Sequence, residues 1–208
     1  MAKIKPFEDY SEEYDEWFDR NYAKYQAELR ALRLIIPLNK NGLEVGVGSG
    51  KFAAPLAVKT GVDPSPKMLK KVKKLGLQVV LGVAEKLPFV TNCFDFVLMV
   101  TTICFVENLN DTFLEAYRVI KQGGFIVVGF IDKESELGKI YQQNKDKSHF
   151  YKTANFFSTQ EVFVHLAKAG FENFEIKQTI FPEKNRMQQI ENGFGTGSFV
   201  VIKAQKIQ

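Results

Sequence analysis

The chain has 208 residues, of which 45% are hydrophobic and 25% charged, and its net charge is +4. This composition indicates one folded domain with a substantial core and excludes a disordered chain. The longest apolar run, residues 97–106, is about half as long as a membrane-crossing helix requires. Cys93 and Cys104 are too few for a disulfide framework and lack the CxxC spacing of a metal site. We therefore expect a cytoplasmic protein with no metal ion and no membrane partner.

The first part of the chain, residues 1–40, is predicted to form a helical cap. Aromatic and apolar residues recur at steps of three to five between residues 10 and 36, which fits one face of one or two amphipathic helices. Seven acidic residues fall between residues 8 and 19, whereas residues 20–208 carry a net charge of +9. The basic remainder is either a solvated lysine-rich surface or a surface for an anionic partner.

Beyond the cap, short apolar strands alternate with helical patterns. The predicted strands are 43–48, 60–63, 77–81, 94–100, 125–131, 171–179 and 198–204. The predicted helices are 51–59, 64–75, 110–122 (capped by Asn110 or Asp111) and 158–169 (beginning at Ser158 or Thr159). This alternation predicts an α/β fold with a mostly parallel sheet and helices on both faces. The last two strands have no helical pattern between them, so the final strand is expected to be antiparallel.

The chain is interpreted as one domain with four parts. The cap at 1–40 is followed by a core at 41–131, a polar insertion at 132–157, and a C-terminal helix with strands at 158–208. The insertion has no regular pattern and is too long for a plain connector. We therefore expect it to lie on the substrate side of the sheet.

Two features follow consecutive strands, at the sheet edge where ligands bind in such folds. The turn Glu44-x-Gly46-x-Gly48-x-Gly50 lets the backbone approach a ligand closely. Asp63 ends the next strand and can accept hydrogen bonds from both hydroxyls of a ribose. Separately, the turn could be structural and Asp63 could be a helix N-cap. Together, they indicate a ligand site.

The glycine-rich turn departs from two common nucleotide-binding motifs. When GxGxxG is counted from Gly46, the third glycine position holds Lys51. In a GxxxxGK[ST] phosphate loop, the residue after Gly50 and Lys51 would carry a hydroxyl, but this residue is Phe52. NAD and phosphate-loop nucleotides are therefore disfavoured.

Five motifs in order between residues 43 and 131 resemble those of class I S-adenosylmethionine-dependent methyltransferases. They are LEVGVGSG (43–50), GVDPSPKML (61–69), GVAEKLPF (82–89), FDFVL (94–98) and YRVIKQGG (117–124). The chain is most similar to the small-molecule branch typified by the quinone-biosynthesis methyltransferases, and YDEWF (14–18) resembles the short helical cap of that branch. The resemblance implies a Rossmann-like seven-stranded sheet, with S-adenosylmethionine bound to the core at 41–131.

The resemblance also implies which residues hold the cofactor. The predicted cofactor-binding residues are Glu44, Gly46, Gly48, Gly50, Asp63, Pro64, Met68, Ala84, Glu85 and Thr101. Asp63 would bind the ribose hydroxyls, and Thr101 would lie near the methyl-transfer channel. Ala84 and Glu85 would border the adenine. Many relatives have Asp where this chain has Val83, so the adenine contact is expected from the backbone or from Glu85.

The implied reaction, methyl transfer from a sulfonium, is an in-line displacement that depends mainly on proximity and alignment. A base is needed only if the acceptor must lose a proton. His149 in the insertion is the candidate base, with a surface role as the alternative. Tyr14 and Trp17 in the cap are expected either to pack the helices or to form a lid, where aromatic faces suit a cationic sulfonium.

Motifs that are absent from the chain limit the class of methyl acceptor. Residues 99–102 read MVTT instead of the [DN]PP[YFW] of amino-group DNA methyltransferases, and neither cysteine follows a proline as in cytosine C5 enzymes. We therefore expect a small-molecule acceptor and no DNA partner. The acidic cap favours a cationic acceptor such as an amine, unless it is simply solvated. The alternatives are an RNA or protein methyltransferase and a non-catalytic S-adenosylmethionine-binding protein, and the oligomeric state is left open.

Overall fold

The computed structural model describes residues 4–37, 39–183 and 188–207. Its helices are α1 (Lys5–Asp9), α2 (Ser11–Arg20), α3 (Tyr22–Arg33), α4 (Pro66–Lys73), α5 (Leu109–Val119), α6 (Glu136–Gln143) and α7 (Thr159–Lys168). Its strands are β1 (Gly42–Val45), β2 (Thr60–Asp63), β3 (Gln78–Leu81), β4 (Phe94–Val100), β5 (Ile120–Ile131), β6 (Phe171–Thr179), β7 (Glu191–Asn192) and β8 (Phe199–Lys206). Residues 1–3 of the predicted cap, residue 38, residues 184–187 of the predicted final loop and residue 208 lie outside the described residues. Within the described ranges, no helix has the length and apolar character needed to cross a membrane.

The eight strands of the described residues form one sheet in the order β3-β2-β1-β4-β5-β8-β6-β7. The first five strands of the chain pair in parallel, whereas β8 is antiparallel to both β5 and β6. The α/β class, the mostly parallel Rossmann-like sheet and the antiparallel final strand are therefore confirmed. The sequence predicted seven strands, and the additional one is β7, which pairs with the end of β6. Its two residues are too few to show a period-two pattern.

Strand β1 lies where the strand order reverses. Val45 of β1 is opposite Val62 of β2, and Glu44 is opposite Leu98 of β4. Because all three strands are parallel, their carboxyl ends lie at the same edge of the sheet. This reversal creates a crevice between the loops that follow the strands, which is where ligands bind in open α/β sheets.

Both faces of the central strands of the sheet are buried. Side chains of β4 alternate between the faces, so Val97 and Met99 pack in one apolar cluster with Phe113 of α5. Leu98 points the other way and packs in a second cluster with Leu32 of α3. Burying a side chain of this size stabilises the fold by roughly 1.5–3 kcal/mol. The two clusters hold the strands rigidly beneath the loops of the crevice.

The predicted helix at 51–59 is wrong, because residues 51–57 form a series of turns. Pro55 has no N–H group to continue a helical hydrogen-bond ladder. Ala57 adopts a left-handed backbone conformation with a φ of 57°. Phe52 and Ala53 are nevertheless buried, so the segment still packs against the core.

Some predicted helix ends also differ from the structure. The side chain of Asn108 accepts two backbone hydrogen bonds at the start of α5, so the cap is Asn108 and not Asn110 or Asp111. Residues 120–122, predicted to finish that helix, begin β5 instead. Helix α4 starts later than predicted because the Ser65 side chain caps its first turn. The shifts at the helix starts arise because several polar residues that can cap a helix lie close together in the sequence.

The cap and the insertion are more regular than predicted. The cap contains three helices instead of one or two, with breaks at Tyr10 and Asn21. The insertion, predicted to be irregular, contains α6 and two short 3₁₀ helices at Lys145–Lys147 and Tyr151–Thr153. Helices this short carry too few apolar positions to give a clear periodicity.

The cap and the insertion meet over the crevice. Phe7 of α1 lies 5.5 Å, between ring centroids, from Phe150 of the insertion. Asp15 of α2 accepts hydrogen bonds from the Ser49 hydroxyl at 2.5 Å and from Lys71 Nζ at 2.7 Å. The cap is therefore tied by polar contacts to the glycine-rich turn and to α4, and by aromatic contacts to the insertion.

Candidate functional site

Two adjoining cavities lie between the strand ends and the overlying cap and insertion. The first has a free volume of about 740 Å³ and the second about 1100 Å³, open mouths included. The loops after β1, β2, β3 and β4 line the first cavity together with the cap. The cap, Phe52 and the insertion form most of the second. Four residues line both cavities: Phe7, Tyr14, Thr101 and Phe105.

The glycine-rich turn forms part of the first cavity. Gly46 and Gly48 line it, with φ angles of 72° and 52°. A Cβ atom on Gly46 would lie 2.5 Å from the Thr102 hydroxyl, and one on Gly48 would lie 3.1 Å from the Tyr14 hydroxyl. Glycine is therefore required here both by the backbone conformation and by the close approach of neighbouring side chains.

Asp63 lies at the end of β2 and lines the first cavity. Its Oδ2 accepts a hydrogen bond from Gly48 N at 2.8 Å, and its Oδ1 accepts one from Ser65 N at 2.9 Å. A carboxylate has about four acceptor positions, so two remain for a ligand. Burial raises the pKa of Asp63 to about 6, although the two N–H donors oppose this shift.

Three of the predicted cofactor residues do not line the first cavity. The Glu44 carboxyl is buried, burial raises its pKa well above the usual range, and its Oε2 has no hydrogen-bond partner among the described residues. Met68 is fully buried in α4. Gly50 has a φ of 84°, and a Cβ there would lie 3.0 Å from Leu75. Their predicted contacts with the cofactor therefore stay predictions.

The loop after β3 contributes Ala84 and Glu85 to the first cavity, together with Val83. Glu85 Oε1 accepts hydrogen bonds from the backbone N–H groups of Glu107 at 2.7 Å and Asn108 at 3.4 Å. The Glu85 side chain thus connects this loop to the segment before α5. Pro64, the remaining predicted residue of the β2 loop, also lines the cavity.

Thr101 lies where the two cavities meet. Its φ is 51°, an uncommon conformation for a β-branched residue. The backbone N–H of Thr101 donates a hydrogen bond to Gly129 O at 2.7 Å, which holds the turn after β4 in place. Strain of this kind concentrates at ligand-binding sites.

The two predicted lid residues occupy different positions. Tyr14 lines both cavities and packs edge-on against Phe18 and Phe150. Burial and the nearby carboxyl groups raise the pKa of its hydroxyl, so the phenol stays neutral. Trp17 lines the second cavity and contacts Phe18 edge-on at 5.2 Å between ring centroids.

Aromatic rings and one buried acid form much of the second cavity. Tyr141 and Tyr151 of the insertion line it, with their rings stacked 5.0 Å apart. Glu28 of α3 also lines it and is buried, and burial raises its pKa to about 8. The sequence interpretation missed Glu28, although its position three residues after Tyr25 and four before Leu32 places it on the apolar face of α3. A charged residue on such a face is the pattern that could have revealed it.

His149, the candidate base, is not among the residues that line either cavity. Its ring stacks on Tyr10 at 4.0 Å, and its Nδ1 lies 3.3 Å from Glu13 Oε2. Half of its side chain is exposed. These contacts link the insertion to the cap, at the outer side of their interface.

Comparisons with known proteins agree with this architecture. A family model described as a methyltransferase domain matches residues 43–128. An uncharacterized protein of Methanocaldococcus jannaschii is 47% identical over 203 residues, which cover 97% of this chain and 98% of the relative. The ubiquinone/menaquinone biosynthesis C-methyltransferase UbiE of Rickettsia bellii is 32% identical over 183 residues, which cover 70% of this chain and 74% of the relative.

A solved structure from Thermotoga maritima has the same fold, with a TM-score of 0.94 and 45% sequence identity. The match covers 98% of this chain and 99% of the other, which is described as an S-adenosylmethionine-dependent methyltransferase and possible histamine N-methyltransferase. The chain belongs to the class I S-adenosylmethionine-dependent methyltransferases. It is an enzyme of this class, with S-adenosylmethionine as its cofactor.

Proposed function

We propose that this methyltransferase binds S-adenosylmethionine in the first cavity and methylates a small-molecule amine held in the second. The observation that carries the proposal is the junction of the two cavities at Thr101 and Tyr14. Two bound molecules could meet there while the cap and insertion exclude water. Such exclusion and alignment are the main contributions a protein makes to an in-line displacement.

The first cavity fits the cofactor in two respects. Asp63 keeps free acceptor positions for two ribose hydroxyls after bonding to Gly48 and Ser65. Gly46 and Gly48 bring the glycine-rich turn close to Thr102 and Tyr14 of the same cavity, where a Cβ would lie within 3.1 Å of their side chains. When bound, S-adenosylmethionine supplies an electrophilic methyl group on a positively charged sulfur. In this proposal Ala84 and Glu85 border the adenine.

In this proposal the remaining predicted cofactor residues shape the cavity without forming hydrogen bonds to the cofactor. Glu44, Gly50 and Met68 support the turn and α4 from within the protein. Pro64 borders the cavity after Asp63. The Tyr14 ring is neutral and lies against both cavities, so it can face a sulfonium without carrying a charge of its own.

A small amine as acceptor is supported by two observations. The acidic cap, with seven acids between residues 8 and 19, favours a cationic acceptor. The solved structure that is 45% identical to this chain is described as a possible histamine N-methyltransferase. The expected cytoplasmic location and the absence of a DNA partner remain predictions from the sequence.

Methyl-labelled S-adenosylmethionine tests the proposal directly. The protein is incubated with the label and either a small-molecule cell extract or a desalted fraction of RNA and protein. We expect labelled products in the small-molecule reaction, and mass spectrometry then identifies the methylated atom. Label on RNA or protein alone would contradict the choice of acceptor. Tight cofactor binding without label in either fraction would favour a non-catalytic binding protein.

A further inference from the structure

Glu28 is the buried charged side chain of the second cavity. The residue is 3% exposed, and its carboxyl group forms no hydrogen bond with any residue the structure describes. The other charged residues lining this cavity are Glu13, with 45% of its side chain exposed beside His149, and Arg20, with 62% exposed beside Glu16. A buried carboxyl without a hydrogen bond is unfavourable for folding. A ligand that donates to it would remove that penalty.

The surroundings of Glu28 indicate what such a ligand would look like. Trp17, Phe52, Phe150 and Tyr141 line the same cavity. Aromatic faces attract cations and also cover apolar groups. A molecule with an ammonium group and an apolar or aromatic body therefore matches both the single buried acid and the aromatic rings.

We propose that the Glu28 carboxylate binds the ammonium group of the acceptor and takes up the proton that must leave before the nitrogen is methylated. This inference rests on the proposed function, since it assigns the acceptor to the second cavity. It makes Glu28, and not His149, the residue that contacts the reacting group. His149 is paired with Glu13 and stacked on Tyr10, at the outer side of the interface between the cap and the insertion.

The proposed step is balanced in protons and electrons. The ammonium transfers one proton to a Glu28 carboxylate oxygen, which leaves a lone pair on the nitrogen. That lone pair forms the new N–C bond while the S–C bond breaks, and the electrons of the broken bond remain on sulfur. The product is a methylated ammonium, and the Glu28 proton passes to solvent when the products leave.

The electrostatic surroundings suit this role. Burial raises the pKa of Glu28 to about 8, with only Lys24 opposing the shift. The titratable groups that face Glu28 or share its cavity are Lys24, Tyr25, Tyr14, Tyr141, Tyr151, Glu13 and Arg20. Burial also raises the pKa values of the four tyrosines, so their hydroxyls remain neutral near pH 8. Glu28 is thus a strong proton acceptor among neutral rings.

Binding of amine and alcohol pairs provides the first test. The full-length protein is first saturated with S-adenosylhomocysteine. Isothermal titration calorimetry then measures its affinity for 2-phenylethylamine and for 2-phenylethanol, and likewise for hexylamine and for hexanol. We expect the wild-type protein to bind at least one amine about tenfold more tightly than its alcohol. Glu28→Gln should abolish this preference, and Glu28→Asp should restore part of it. Glu16→Gln, an exposed acid of the same cap, should retain the full preference.

Proton release provides the second test, which a merely structural role would not affect. Titrations at pH 6.5 in buffers of different ionisation enthalpy count the protons released on binding. Since the Glu28 carboxyl is protonated below pH about 8, binding an ammonium to the wild-type protein should release close to one proton. The Glu28→Gln variant should release none.

Each outcome decides the inference. It is overturned if no amine is preferred over its alcohol by the wild-type protein, or if Glu28→Gln keeps the preference. It is also overturned if Glu28→Gln weakens binding of amine and alcohol equally. S-adenosylhomocysteine affinity within twofold of wild type shows that the variant is folded. If the wild-type protein fails to bind S-adenosylhomocysteine, the proposed function itself fails, which is a separate result.

Discussion

The two cavities are built from different kinds of structure. The first is formed largely by backbone turns at the ends of β1, β2, β3 and β4, with Gly46 and Gly48 in conformations that suit glycine. The second is formed largely by side chains from distant segments, such as Trp17 in the cap, Phe52 after β1 and Tyr141 in the insertion. A site made of backbone turns can bind the same cofactor for many reactions, whereas a site made of side chains can be specific for one acceptor.

This difference implies that substitutions should affect the affinity for the cofactor and the affinity for the acceptor separately. Changes in the turns of the strand edge should affect cofactor affinity and leave acceptor affinity intact. Changes in the insertion, and at cap residues such as Trp17 that line the second cavity and not the first, should have the opposite effect. The separation should fail at the four residues that line both cavities, which are Phe7, Tyr14, Thr101 and Phe105.

The largest effect is expected from Gly46→Ala. The added Cβ would lie 2.5 Å from the Thr102 side chain, at a φ of 72° that disfavours alanine. We expect the affinity for S-adenosylmethionine to fall at least about 100-fold. Gly76→Ala is the matched control, because Gly76 has a φ of 79° with nothing within 4 Å of the added atom. Equal losses of cofactor affinity in both variants would contradict the assignment of Gly46 to the cavity.

Asp63→Asn should weaken cofactor binding about 30-fold, the effect of losing charge-assisted hydrogen bonds worth roughly 2 kcal/mol. The pKa of Asp63 is about 6, so in the wild-type protein the carboxylate becomes protonated as the pH falls through 6. Cofactor affinity should therefore decrease from pH 7 to pH 5 in the wild-type protein. It should stay nearly constant in the variant. Calorimetry at several pH values measures both effects, and an unchanged affinity in Asp63→Asn would refute the ribose contact.

Glu28→Gln should stabilise the fold at alkaline pH. The pKa of Glu28 is about 8 in the folded protein and lies near 4.5 when the chain unfolds. Between pH 4.5 and pH 8 the Glu28 carboxyl is protonated in the folded protein and ionised in the unfolded chain. The free energy of unfolding of the wild-type protein therefore decreases as the pH rises through this range. We expect the variant to be more stable than wild type by roughly 4–5 kcal/mol at pH 8.5, and similar at pH 4.5. Urea unfolding at both pH values measures the difference, and an equal difference at both would rule out titration of Glu28.

Trp17→Ala should raise the KM for the acceptor about tenfold, through the loss of an aromatic contact worth roughly 1.4 kcal/mol. Trp17 lines only the second of the two cavities, so the Kd for S-adenosylmethionine should stay within twofold of wild type. Tyr22→Ala removes a largely exposed aromatic residue of the cap and serves as the control. A weaker cofactor affinity in Trp17→Ala would show that the two cavities are not separable at this position.

His149→Ala should have the smallest effect. The side chain is half exposed and is not among the residues lining either cavity, so we expect kcat/KM to change less than about twofold. The pH profile of the reaction should keep its shape. A loss of 100-fold or more in kcat would instead make His149 a base and displace Glu28 from that role.

Several parts of the fold could be predicted because their determinants are local. The bounds of β2, β4 and β6 match the prediction, since an apolar strand between turn residues is visible in a short window. The helix at 51–59 was predicted from its apolar residues, which are buried, and Pro55 is the sequence signal against it that the prediction overlooked. The left-handed backbone of Ala57 could not be predicted, since alanine itself favours a helix. Strand β7 could not be found, since its pairing with β6 comes from the tertiary structure.

The same contrast holds for the candidate sites. Gly46, Gly48 and Asp63 were predicted from motifs at the ends of consecutive strands, and they lie together because parallel strands bring their carboxyl ends to one edge. Their roles with the cofactor remain predictions to be tested. Glu28 and Tyr141 were missed, because helix α3 and the insertion contain no motif that marks a ligand site.

The sequence by itself determined the alternating fold, the glycine-rich turn and the acid after β2, because each depends on the chemistry of a few adjacent residues. Only the tertiary structure decided which side chains enclose the second cavity. The packing of the cap against the insertion brings Trp17 and Glu28 close to Tyr141, which lies more than 100 residues further along the chain. Burial then changes the chemistry of Glu28, since the same carboxyl in water would be fully ionised and would bind cations only weakly.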